Sequence, residues 1–426
     1  MKRFVNEIAA CVAIAAVALG TGCKQEKESA LGSISVQVGV SEIFEGVDLS
    51  GISVKIVNTA DNASLVGETD ASGAVLFGEV SPAVYNVSAS LELSAEEAVN
   101  YTGTNQAVTL NGVASNVTVL PSQNLSVELE LDGKAGGNLV IKEIYTLGAT
   151  KDNYSILFKD QFIELYNNSD EVQYVDGLYL ADLAPSADGS DPDKTTPLDL
   201  PLDEYVYASK VLQFPGNGTD YPVEPGKSIV MAMNAVNYKE DKPEAVTVDN
   251  STADFDTYAI DWLQEQGRTG SSFFDVDNPQ VPTMKCIYLN IQNGGWFNFN
   301  SYGSVALFKL DAEPTETVLD PTSVSTQVYY LKMPVSGIID GVDNLAATDA
   351  GAFKRLPSGV DAGFFCPKGY SGDNAAITGM NYSGNSIRRK VAKVLPDGRN
   401  VLCDTNNSAN DFEVIEAPAP RCYDLK

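Results

Sequence analysis

The chain has 426 residues, carries 57 Asp+Glu against 28 Lys+Arg for a formal net charge of −29, and contains no histidine. A surface this acidic repels phosphate backbones, which argues against nucleic acid as a partner. The missing histidine excludes Ser-His-Asp and Cys-His catalysis and the commonest zinc and haem ligation.

Met1-Lys2-Arg3 supplies positive charge, Ile8 to Leu19 is a short apolar run, and Gly20-Thr21-Gly22-Cys23 follows. The run is too short to span a bilayer, so residues 1–22 read as a cleaved leader. Small residues directly before a cysteine resemble a bacterial lipoprotein signal, which implies that Cys23 becomes the lipidated first residue. An ordinary secretory signal cleaved elsewhere is the alternative. Residues 23–31 are a charged tether with nothing to bury. Their acidic residues resemble the surface-export signals of Bacteroides-type bacteria, implying a lipid anchor in the outer membrane that faces the cell surface.

The length leaves room for two or three domains. Residues 32–132 hold alternating β-rich runs at 33–38, 52–57, 74–77, 84–89, 117–120 and 125–131. Thr69-Asp70-Ala71-Ser72-Gly73 sits between two of them, with Asp70 suited to cap backbone amides and Gly73 to a positive φ. Strand, Thr-Asp-x-x-Gly, strand, then Pro82-Ala83-Val84-Tyr85 resembles the carboxypeptidase-regulatory-like or prealbumin-like β-sandwich, which implies a structural spacer.

Residues 133–137 are a glycine-rich linker, and a second unit spans 138–426. Asn138 to Tyr145 reads as a strand. In Phe162-Ile163-Glu164-Leu165-Tyr166 the period is two with both faces covered, and Glu164 is placed on a face that packs inward at a sandwich. Asn167-Asn168-Ser169-Asp170 is a turn, and Asp176-Gly177 starts the next strand, with Asp176 capping turn amides. These runs resemble the lamin-tail domain, an immunoglobulin-like β-sandwich. The resemblance continues at 223–232, 304–310 and 338–342, and closes at Gly384-Asn-Ser-Ile-Arg388-Arg389 with 404–412. The order resembles an uncharacterised family of Bacteroides-type lipoproteins with a lamin-tail-like body. The expected fold class is therefore all-β, two sandwiches in series. Long insertions at about 182–210, 239–300 and 346–383 are where binding surfaces are commonly built.

The best helical stretch is Asp256 to Glu265. Near it lie Trp262, Trp296, Phe297 and Tyr302, which either stack on a sugar or partner protein or form the insertion's own core. Asp188, Asp191 and Asp193 are spaced to wrap calcium, although the EF-hand order is absent and a solvated acidic loop is the favoured explanation. No other cofactor is implied. Cys286, Cys366, Cys403 and Cys422 permit two disulfides in three connectivities, with Cys403–Cys422 preferred by proximity. Glu143 and Glu164 invite comparison with a glycosidase pair. Their strand positions favour a structural role instead, with Glu164 bound to Arg388, Arg389 or backbone amides, so no catalytic residue is assigned. The expected function is a non-enzymatic, surface-exposed outer-membrane lipoprotein that binds a ligand or partner beside an outer-membrane transporter or another surface protein. Glycan binding or adhesion is the alternative, and a carboxylate hydrolase a distant third.

Overall fold

The computed structural model describes residues 31–102, 108–133, 138–149, 159–184, 200–241, 246–267, 275–290, 299, 303–321, 327–345, 354–366 and 383–425. The strands of the first unit are β1 (Gly32–Val40), β2 (Ser53–Asn58), β3 (Ser64–Glu68), β4 (Ala74–Val80), β5 (Val84–Leu93), β6 (Val108–Thr118) and β7 (Asn124–Leu131). They form two sheets, ordered β4-β1-β7 and β3-β2-β5-β6, with β1 and β7 parallel. Ile34, Val36 and Val38 on β1 alternate inward and meet Val54, Val87 and Leu129 in one core, the period-2 burial expected of sandwich strands. Asp70 Oδ1 accepts the amides of Ser72 and Ala74. Gly73 has φ +79°, and a Cβ there would lie 2.5 Å from the Val38 carbonyl oxygen, so only glycine fits.

The second unit continues with β8 (Leu139–Tyr145), β9 (Phe162–Asn167), β10 (Gln173–Tyr174), β11 (Tyr179–Leu183), β12 (Tyr205–Gln213), β13 (Pro222–Val223), β14 (Ser228–Ala232), β15 (Phe255–Asp256) and β16 (Lys285–Leu289). Then come β17 (Val305–Phe308), β18 (Thr317–Leu319), β19 (Tyr329–Pro334), β20 (Ile338–Val342), β21 (Ser386–Arg389), β22 (Val391–Val394), β23 (Asn400–Leu402) and β24 (Phe412–Ile415). One sheet runs β15-β14-β9-β8-β21-β24, the other β18-β19-β12-β11-β17-β20 with β16 also on β12. Their inner faces meet where Ile141, Ile163 and Leu165 pack on Leu180, Leu212 and Leu307. The protein is thus all-β. The expected helix is shorter than its pattern, Ile260–Glu265, because Phe255 and Asp256 pair with β14 instead. No helix among the described residues is long and apolar enough to cross a membrane.

The two units touch. Asn111 Nδ2 donates to the Thr405 carbonyl at 2.9 Å, and Asn406 Nδ2 to that of Thr109 at 3.2 Å.

The face of β9 that carries Glu164 is not the sandwich interior. Ile163 and Leu165 fill the inter-sheet core, whereas Val140 and Tyr166 face outward and pack with Leu402 and Leu425. The C-terminal residues 416–425 lie across this outer face as a strap, which is why both faces of β8 and β9 are buried.

Candidate functional site

The strap is seated on a row of charges. β8 carries a bulge between Ile141 and Glu143, so Ile141 pairs with Leu165 and Glu143 with Glu164. The extra residue turns Lys142 and Glu143 to the same side, away from the core. Across β9, β8, β21 and β24 the register then aligns Glu164, Glu143, Arg388 and Glu413. Lys142 Nζ donates to Glu164 Oε1 at 2.9 Å and to the Cys422 carbonyl at 2.8 Å. Glu164 Oε1 also accepts the Arg421 amide at 2.9 Å and the Ser228 hydroxyl. Glu143 Oε1 accepts the Ala419 amide at 2.9 Å. Burial pushes the Glu143 carboxyl up to about 7, the neighbouring Glu164 adds to that, and the Ala419 amide and Lys142 oppose it.

The expected guanidinium partners of Glu164 are engaged elsewhere. Arg388 pairs with Glu413 at 2.7 Å, its cross-strand neighbour on β24. Arg389, on the other face of β21, is buried against Asp340 (2.6 Å), Asp404 (3.2 Å) and Asp411 (3.5 Å). Lys142 takes the role because the bulge aims it at Glu164. The signal was in the sequence: an adjacent Lys-Glu inside Leu-Val-Ile-Lys-Glu-Ile-Tyr, a run otherwise apolar enough to be buried on both faces.

Beside the strap opens a cleft of about 420 Å³ lined by Tyr166, Asp170, Lys227, Asp397, Arg399 and Tyr423, among others. Three loops build it: the Asn-Asn-Ser-Asp turn after β9, the Pro225-Gly226-Lys227 turn before β14, and the hairpin between β22 and β23. Gly226 has φ +72°, and a Cβ on it would lie 2.5 Å from Arg399 Cγ and Cδ, so glycine lets the arginine stem cross the turn. Arg399 Nη2 binds Asp170, Nη1 the Ser169 carbonyl, and Nε stands 3.8 Å from Asp397 Oδ2. The Tyr423 ring has Lys227 Nζ 4.7 Å and Lys142 Nζ 4.9 Å from its centroid, a cation–π arrangement that ties cleft to buried row. Asn400 Nδ2 holds the Tyr423 carbonyl at 2.6 Å, and the Tyr166 hydroxyl donates to the Asn400 carbonyl at 2.6 Å. Burial pushes the Tyr166 hydroxyl up to about 12, with Arg399 pulling the other way. Two cations and two carboxylates balance at the rim, and Arg399 is already satisfied. The arrangement offers hydrogen bonds to a polar ligand at a rim of no net charge.

Asp176 accepts the amides of Gly218 (3.1 Å), Asp220 (2.7 Å) and Tyr221 (2.9 Å). Burial works against the charged form, yet those amides hold its carboxyl below the usual range. Trp262 is half-buried against the main core. Trp296, Phe297 and Tyr302 lie outside the described residues, as do Asp188, Asp191, Asp193 and Cys23. Cys286, Cys366, Cys403 and Cys422 form no disulfide with one another, so neither expected bridge is formed. Cys286 belongs to the sandwich core. The carbonyls of Cys403 and Cys422 are fixed on different cations, Arg389 and Lys142, which anchors the two segments separately.

Fold and cleft together define an all-β, sandwich-type protein with a polar cleft at the edge of its larger unit. Residues 224–419 match the family described as Protein of unknown function (DUF4876). The crystal structure of a DUF4876 family protein from Bacteroides thetaiotaomicron VPI-5482 is similar in fold, with a TM-score of 0.56 and 23% identity over 93% of this chain and 98% of that one. A candidate adhesin from Bacteroides ovatus ATCC 8483 aligns over 74% of this chain and 88% of that one, but a TM-score of 0.18 at 8% identity carries no argument. No curated protein matches the chain.

Proposed function

We propose that the protein is a non-enzymatic lipoprotein, anchored through Cys23 in the outer membrane and exposed at the cell surface, whose larger sandwich binds a ligand or partner beside an outer-membrane uptake system. The observation that carries the binding role is the cleft of about 420 Å³ at the strap. Its lining comes from three loops on a rigid sandwich, the usual location of a recognition surface. Support for a non-enzymatic role comes from Glu143 and Glu164, the pair that invited comparison with a glycosidase. Both are fully buried beneath the strap, and Lys142 neutralises Glu164, so no substrate reaches them. The lipid anchor rests on Gly20-Thr21-Gly22-Cys23 after the apolar run. The transport association rests on family-level analogy.

Crosslinking and pulldown from intact outer membranes tests this reading. The parent should capture a membrane partner that the Lys227→Ala/Arg399→Ala variant captures weakly. Equal capture by a folded variant would remove the cleft from the function, and capture of no membrane protein would remove the accessory role.

A further inference from the structure

Lys142 and Glu164 lie fully buried beneath the strap, and one oxygen of the carboxyl makes all of its contacts. Glu164 Oε1 accepts Lys142 Nζ at 2.9 Å, the Arg421 amide at 2.9 Å and the Ser228 hydroxyl. Glu164 Oε2 and Glu143 Oε2 are buried with no hydrogen-bond partner among the described residues. We infer that Lys142 and Glu164 condense to a side-chain amide that crosslinks β8 to β9, with Glu143 carrying the protons.

The polar accounting separates the amide from a simple ion pair. The ion pair leaves Glu164 Oε2 bare in the interior, where an unmade hydrogen bond is costly. The amide removes that atom as water. Its oxygen keeps the Arg421 amide and the Ser228 hydroxyl, and its N–H keeps the Cys422 carbonyl, 2.8 Å from Nζ. Condensation also removes two buried charges, whose desolvation their mutual attraction only partly offsets.

The groups that the reaction needs are in place. Burial disfavours both charges, so the ammonium passes one proton to Glu164 Oε2 and the pair becomes amine and acid. The carboxyl carbon is one bond behind Oε1, and a rotation of the carboxyl brings Nζ to the roughly 3–3.5 Å of an attacking pair. Nζ then bonds to that carbon, and the charge that develops on Oε1 meets the Arg421 amide and the Ser228 hydroxyl, an oxyanion site. Glu143 stands opposite Glu164 in the β8–β9 register, on the same side of the sheet. Its carboxyl, raised to about 7, still holds a proton near neutrality. Glu143 gives that proton to the departing Oε2 hydroxyl, takes one from Nζ and ends as it began. The carbon–Oε2 bond breaks, and ammonium plus carboxylate have become one amide and one water. This is a single self-modification without turnover, and it does not depend on the reading given for the cleft.

Peptide mapping of the full chain, extracted from outer membranes and denatured, tests the inference. Trypsin cuts after lysine, and an amide on Nζ blocks the cut at Lys142. Peptide 135–151, uncut after Lys142, should therefore appear joined to peptide 160–194, one water lighter than the two together. Lys142→Met should abolish the joined species. In pulse-labelled cells Glu143→Gln and Ser228→Ala, each checked for folding by circular dichroism, should form it at least about tenfold more slowly. Recovery of peptides 143–151 and 160–194 only as separate species from the folded parent would overturn the crosslink. Parental rates in both folded variants would overturn the mechanism assigned to Glu143 and the oxyanion site.

Discussion

Glu143 stands directly opposite Glu164 across the β8–β9 pair, and Lys142, turned to the same side by the bulge, sits 2.9 Å from Glu164. Two acids and one lysine, all fully buried, are therefore roofed by a strap whose backbone supplies two amides and one carbonyl. The strap and the sandwich are one electrostatic unit, because neither the carboxylates nor the lysine would be satisfied alone.

Lys142→Met keeps the volume but leaves Glu164 without its counter-ion. Breaking a buried pair from one side costs about 3–5 kcal/mol, and the melting temperature should fall by roughly 6 °C or more. Glu164→Ala should cost less, about 1–3 kcal/mol, because it also relieves the repulsion with Glu143. Differential scanning calorimetry of both variants measures the order. A larger loss for Glu164→Ala would mean that the Ser228 and Arg421 contacts matter more than Lys142.

The Glu143 carboxyl is raised from its ordinary value to about 7. A folded-state pKa above the unfolded one means that the native state binds the proton more tightly. Its stability is then highest below about pH 4.5 and declines as pH rises through 7. Asp160 and Asp361, both raised to about 6 by burial, act with the same sign over a lower window. Denaturant titrations should therefore show the parent less stable at pH 8.5 than at pH 5.5. Glu143→Gln should remove part of that slope, and the protection of the amides across 416–425, corrected for the base-catalysed intrinsic rate, should fall with pH more in the parent than in Glu143→Gln. A slope unchanged in Glu143→Gln would assign it to the two aspartates.

The four thiols of the folded part should differ sharply in reactivity. Burial raises the Cys286 thiol strongly and the Cys403 thiol as well, so less thiolate is present to react. Alkylation without reductant should label all four after denaturation, while native protein should leave Cys286 unlabelled. A mass that rises by further alkyl groups only after reduction would restore a disulfide.

Gly226→Ala places a methyl group where Arg399 Cγ and Cδ now lie, at a positive φ that disfavours a side chain. The cost should be about 1–2 kcal/mol. Arg399 should also be displaced from Asp170, so partner capture through the cleft should weaken beyond what the stability loss explains. Undiminished capture in membrane pulldowns would show that the Arg399 position is irrelevant to binding.

The residue pattern of the chain determined several strands, Leu139–Tyr145 and Phe162–Asn167 among them, because it is a local property; it missed β3 and most of β6, and β12, β15 and β16 fall in or overlap stretches that read as insertions. Phe162 to Tyr166 read as a strand covered on both faces, and it is one. Turn chemistry was local at Asp70 with Gly73, which need only their own neighbours, whereas Asp176 caps amides of Gly218, Asp220 and Tyr221 more than 40 residues on. Which sheet face met the core, and what neutralised Glu164, depended on contacts across long sequence separations. A one-residue bulge at Lys142 reverses the side to which the following residues point, and the adjacent Lys-Glu in Leu-Val-Ile-Lys-Glu-Ile-Tyr hints at it without naming the partner of either charge. The lysine's other partner, the Cys422 carbonyl, is 280 residues away. Tyr423 and Arg421 carry no motif, and the contact of Tyr205 with Pro334 exists only because β12 and β19 pair in one register. Pairing between distant strands is chosen by the packing of the whole molecule, so only the tertiary structure decided the strap and the cleft.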